Sequence, residues 1–124
     1  MHNNSPITFI AWERANLSAV RDVLAGLQRD GIYLRRDHLL METSWLGTGA
    51  RDFYATAWRW GAQDCPLFYD LARRGQLLLT IGDTVIACGN GADIDAARDC
   101  IAQELIAAQD PQQLCGLLAD APED

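Results

Sequence analysis

Residues 76–91, QLLLTIGDTVIACGNG, decide how the fold is read. Two apolar runs meet at Gly82-Asp83 and are closed by Gly89-Asn90-Gly91. A Gly-Asp pair between aliphatic and β-branched runs signals a hairpin, because glycine takes the positive φ that a type I′ or II′ turn requires. With the turn there, Ile81 opposes Thr84. Leu77, Leu79, Ile81, Ile86 and Cys88 then line one face, and Leu78, Thr80, Val85 and Ala87 the other. Both faces are mainly apolar, so the hairpin belongs inside a sheet that helices cover on one side and partly cover on the other.

Towards the C-terminus, Asp93 can cap a helix running to about Gln109, with Asp95 placed favourably for the macrodipole in its first turn. Its inward positions are Ile94, Ala97, Ile101, Leu105 and Ala108, and Pro111 ends it. Residues 112–119 add a short helix through Leu114, Leu117 and Leu118. Before the hairpin, Asp64 is a candidate N-cap, Pro66 suits a first turn, and Leu67, Phe68 and Leu71 form the apolar face of a helix ended by Gly75.

Gly47-Thr48-Gly49 breaks the chain ahead of a further expected helix, Ala50–Gly61. On a helical wheel Ala50, Ala57 and Gly61 centre its apolar arc, Phe53 and Tyr54 flank it, and Trp58 and Trp60 fall at opposite edges. Arg51, Asp52, Thr56 and Arg59 occupy the other arc. Residues 38–46 fit either a short helix or a strand; alternation of Leu39, Met41, Thr43 and Trp45 favours the strand. Residues 6–30 also read two ways. A single helix from Ser5-Pro6 would bury Glu13 without a partner, so a strand at 7–11 and a helix from Asn16 to Arg29, capped by Asn16 or Ser18, is preferred. Gly31 would be the C′ residue and Ile32–Leu34 a short strand. The expected fold is α+β: one domain over residues 1–124, with a small, mainly antiparallel sheet centred on the 76–89 hairpin and packed with three to five helices. Residues 1–5 and 120–124 are expected to be mobile ends.

The chain has 124 residues, enough to bury a core without disulfide or metal. Seventeen acidic residues outnumber ten basic ones, all of them arginine, for a net charge of −7. That balance opposes a phosphate backbone, and the doublets Arg35-Arg36 and Arg73-Arg74 each have an aspartate nearby; direct nucleic-acid binding is disfavoured. No apolar run approaches the ~20 residues of a spanning helix, and the start of the chain lacks a signal-peptide pattern, so neither membrane nor secretion is expected. The expected location is the cytoplasm, with Cys65, Cys88, Cys100 and Cys115 reduced and packed as small apolar residues.

Catalytic and ligand signals are weak. Cys65, in the first turn of a helix, is the best nucleophile candidate, but Asp64 beside it opposes a thiolate, and His38 is the nearest usable base. The cysteines are 23, 12 and 15 positions apart, without metal-ligand spacing. Asp93, Asp95 and Asp99 lack the glycine and closing glutamate of a calcium loop. Gly89-Asn90-Gly91 is crowded by acids, and Gly47-Thr48-Gly49 with Arg51 could hold a small anion but fits neither a dinucleotide nor a nucleotide fingerprint. No cofactor and no metal are expected.

Tyr54, Trp58, Arg59 and Trp60 are the residue types that dominate protein interfaces. The leading expectation is a small acidic, non-catalytic protein-binding regulator that inhibits or modulates a larger protein, as an antiactivator of a transcription regulator or an immunity-type inhibitor does. A homodimer is the default assembly. The competing expectation is a small-molecule enzyme or sensor with a pocket near Cys65, His38 and Arg51.

Overall fold

A computed structural model describes residues 5–11, 15–45, 53–89 and 104–119. In chain order its elements are β1 (Ile7–Ala11), α1 (Leu17–Leu24), β2 (Gln28–Asp30), β3 (Tyr33–Arg36), β4 (Leu39–Trp45) and β5 (Phe53–Arg59). A 3₁₀ turn (Ala62–Asp64) then leads to α2 (Cys65–Gly75), β6 (Leu77–Ile81), β7 (Thr84–Cys88), β8 (Glu104–Ala108) and α3 (Pro111–Ala119). The strands make one sheet in the order β2-β3-β4-β5-β1-β6-β7-β8. All neighbours are antiparallel except β7 and β8, which run parallel.

The hairpin forms with Ile81 opposite Thr84 and Gly82 at φ 56°. Two more two-residue turns repeat the device, Gly31-Ile32 with Gly31 at φ 63° and Asp37-His38 with Asp37 at φ 55°. A left-handed first turn residue matches the right-handed twist of the flanking strands. Leu77, Leu79, Ile81, Ile86 and Cys88 join Ile7, Phe9, Met41, Phe53, Ala55 and Ala57 in the main core, under the helices. Leu78, Val85, Ala87 and Leu105 are buried in a second, smaller cluster on the other face, beside Ile10.

The sheet dominates this fold, which corrects the expectation of a small sheet packed with three to five helices. It is a single eight-stranded mixed sheet with three α-helices among the described residues. The hairpin is not at the centre either; β5 and β1 hold the middle of the sheet, and the β6–β7 hairpin lies to one side of it. Two helix expectations fail for one reason. Residues 53–59 form β5 and residues 104–108 form β8, where apolar positions spaced along a helical arc suggested helix but pairing with neighbouring strands satisfies the backbone instead. The rest of the expected 93–109 helix, with Asp95, Asp99 and Cys100, lies outside the described residues, as does 47–52 with Arg51.

The helix starting at Asn16 is present, with the Asn16 side chain accepting from the Ala19 amide at 3.2 Å, but it stops at Leu24. Residues 28–30 are the edge strand, and Gly31 is a hairpin residue rather than a C′ cap. Pro111 starts α3 instead of ending a helix. Ser5 is tied down, since its carbonyl accepts from Trp60 Nε1 at 2.9 Å; residues 1–4 and 120–124 are outside the described set.

The three helices lie side by side, α2 between α1 and α3, on the face that carries Phe9 and Leu79. The Asn16 amide donates to the Gly75 carbonyl at 2.9 Å, joining the start of α1 to the end of α2. Cys65 and Cys115 are joined by a disulfide, Cα–Cα 5.5 Å, that ties α2 to α3. This overturns the reduced, packing role expected for those two residues; Cys88 is a free, buried thiol.

Candidate functional site

The β5 sequence FYATAWR alternates. Phe53, Ala55 and Ala57 are buried against the helices, and Tyr54 and Trp58 stand on the opposite face, each 48% exposed. Thr56 lies between them, buried. The register sets their surroundings: Tyr54 pairs with Ile10 and Ser44, and Thr56 with Thr8 and Glu42. Thr80 continues the threonine row through Thr8. Glu42 accepts from Trp58 Nε1 at 3.3 Å, which orients the indole along the sheet. The outcome is a shelf of two aromatic rings over a floor of threonine and isoleucine.

A β-bulge shapes one end of this shelf. Met41 pairs with Ala57 and Leu40 with Arg59, so β5 carries one extra residue, Trp58, against β4. A bulge leaves two residues facing one and re-aims the side chains that follow. Trp58 and Arg59 are both exposed beside Leu40. Trp60, two positions after Trp58, turns to the other side and is 6% exposed, with its ring edge-on to Phe68 at 6.0 Å. Of the four candidate interface residues, the structure therefore brings Tyr54, Trp58 and Arg59 to the surface of one strand and places Trp60 in the core.

The candidate chemistry is dispersed. Cys65 is buried and bonded to Cys115, so it holds no thiol in this state. His38 sits exposed in the Asp37-His38 turn. Asp64 does not cap α2 with its side chain; its carboxylate accepts from the Gly61 amide at 2.9 Å and faces Arg36 at 3.6 Å. Burial pushes the Cys88 thiol up to about 12, far from a nucleophile at neutral pH. The Tyr69 phenol is also raised, first by burial and then by Cys88, and it donates to the Gln109 carbonyl at 2.8 Å. Among the described residues no three His, Cys, Asp or Glu side chains gather in a way that would hold a metal ion. No helix among them is long and apolar enough to cross a membrane.

Sequence reasoning missed Glu42, Thr8, Thr56, Thr80 and Ile10 as neighbours of the aromatic pair. The available signal was the period of two in residues 53–58, where one set of alternate positions holds Phe53, Ala55 and Ala57 and the other Tyr54, Thr56 and Trp58. Compared with known proteins, the chain matches no family model, no curated protein and no solved structure.

Proposed function

We propose that this chain is a small acidic, non-catalytic protein-binding regulator that docks through the β5 shelf and inhibits or modulates a larger protein. An antiactivator of a transcription regulator and an immunity-type inhibitor are the two forms this role would take. The observation that carries the reading is the pair of half-exposed rings, Tyr54 and Trp58, on one strand face. A Trp or Tyr buries ~150–250 Å², so covering the exposed halves would gain about 2–3 kcal/mol each at ~25 cal/mol per Å². Association costs at least ~4 kcal/mol, so the rings need contributions from their rim. Arg59, Leu40 and Ile10 are placed to supply them. The net charge of −7 favours encounter with a basic partner, a protein rather than nucleic acid.

The test is capture from the native cell with the intact chain as bait, beside Trp58→Ala and Arg59→Glu variants that keep the wild-type melting temperature. A partner held by the wild type and released by both variants supports docking. Recovery of nothing but the chain itself at low and moderate salt counts against it, and sizing then distinguishes a homodimer on this shelf from a monomer. The location proposed with this role is the cytoplasm. The Cys65–Cys115 bond bears on that point, because the cytosolic thiol pool reduces most structural disulfides, so thiol trapping in intact cells tests it.

A further inference from the structure

The two ends of the α2–α3 disulfide stand in unequal surroundings. Cys65 opens α2 and is 2% exposed, whereas Cys115, in the middle of α3, is partly exposed. We propose that Cys115 is a thiol-exchange site, attacked at Sγ by a low-molecular-weight thiol such as glutathione, with Cys65 as the buried leaving and resolving thiol. The site is independent of the β5 shelf, which lies on the other face of the sheet.

Access, charge and the fate of the leaving sulfur all favour attack at Cys115. One turn away along α3, Gln112, Gly116 and Ala119 are exposed, and beyond its own helix a Cβ on Gly116 would meet nothing within 4 Å. The sequence of α3, PQQLCGLLA, holds no charged residue, so an anionic thiolate meets no repulsion from this helix although the chain carries a net charge of −7. Attack forms an S–S bond from Cys115 to the incoming sulfur and breaks the bond to Cys65. The electron pair leaves on Cys65 Sγ, at the start of an eleven-residue helix whose free amides favour a thiolate, and a thiol of lowered pKa leaves faster. Its sequence neighbour Asp64 is engaged by the Gly61 amide at 2.9 Å and Arg36 at 3.6 Å, which offsets its charge. A second thiol molecule then attacks the mixed disulfide, freeing Cys115 and forming the oxidised dimer of the reagent. Return is equally well placed. Leu114 and Leu118 in the main core and the Tyr69 bond to the Gln109 carbonyl keep α3 docked, so the Cys65 thiolate can attack Cys115 Sγ and expel the small thiol.

The full chain, incubated with reduced glutathione under native conditions, quenched in acid and mapped by peptide mass spectrometry after the remaining thiols are alkylated, tests this directly. The expected mixed disulfide has glutathione on Cys115 and an alkylated Cys65, at least ~10-fold in excess of the converse, because exchange follows access to the sulfur. Cys65→Ser and Cys115→Ser chains treated with oxidised glutathione give a second measure. The remaining Cys115 of the first should be modified at least ~10-fold faster than the remaining Cys65 of the second, and the two rates should converge in urea. Glutathione found mainly on Cys65 or another cysteine, equal native rates in the two variants, or exchange that begins only where urea unfolds the chain would each overturn the proposal.

Discussion

Gln76 holds a left-handed conformation, φ 59° and ψ 46°, directly after α2. Glycine is the residue suited to that position, yet Gly75 precedes it as the last residue of the helix. The reason lies in packing: a Cβ on Gly75 would meet Val20 Cγ2 at 2.7 Å, so glycine is required for α1 to approach α2 rather than for a turn. Left-handed geometry costs a non-glycine residue ~1–2 kcal/mol, and the extra freedom of glycine in the unfolded chain returns ~0.5–1. Gln76→Gly is therefore expected to stabilise by about 0.5–1 kcal/mol in urea unfolding, and Gly75→Ala to destabilise by about 1–3 through overpacking. Cys88 yields a second expectation at this scale. Its folded thiol, pushed to about 12, holds its proton where the unfolded thiol, near 9, has lost it. From about pH 9 upward the unfolded state binds fewer protons, so stability must fall as pH rises to about 12. The raised Tyr69 acts in the same direction. Cys88→Ala should make the alkaline decline of the urea midpoint shallower, and an unchanged slope would contradict the assignment.

At the scale of one strand, β5 shows how a single extra residue separates two similar side chains. In a regular strand Trp58 and Trp60 would share a face; the bulge opposite Leu40 sends the first outward and the second into the core. Truncating them should have unequal consequences. Trp60→Ala removes a buried ring, its edge contact with Phe68 and its bond to the Ser5 carbonyl, and is expected to cost about 3–5 kcal/mol in urea unfolding. Trp58→Ala should cost below ~1 kcal/mol, since about half the ring is already in water and its bond to Glu42 is exposed. Equal losses would mean that the bulge does not divide them. The same strand marks where the sequence could be read. Turn chemistry at Gly82-Asp83 and the alternation in 39–43 and 77–88 were legible, because glycine geometry and a period of two are local properties. Residues 53–59 carry the same alternation, but it competes with a helical reading, since Ala55 and Ala57 favour a helix in isolation and pairing with β1 and β4 on both sides decides for the strand. Tyr54, Trp58 and Arg59 were thus picked by residue type, and what they face was supplied by strands distant in sequence.

For the molecule as a whole, the long-range restraint of greatest weight is the bond between Cys65 and Cys115. It spans 50 positions and closes a loop that contains α2, the β6–β7 hairpin and β8. A cross-link over ~50 residues removes unfolded-state entropy equivalent to about 4 kcal/mol, with measured effects commonly ~2–4. Total stabilities of ~5–15 kcal/mol make that a large share. The folded state does not need the bond for contact, since Leu114 and Leu118 of α3 are buried in the main core and Tyr69 holds the Gln109 carbonyl. Cys115→Ser is accordingly expected to remain folded but to lose about 2–4 kcal/mol, lowering the melting temperature by on the order of 10 °C. Dithiothreitol should shift the wild type by a similar amount and leave the Cys115→Ser variant unmoved, because each treatment removes the same restraint. A wild-type melting curve indifferent to reductant would show that the two sulfurs are adjacent without restraining the chain.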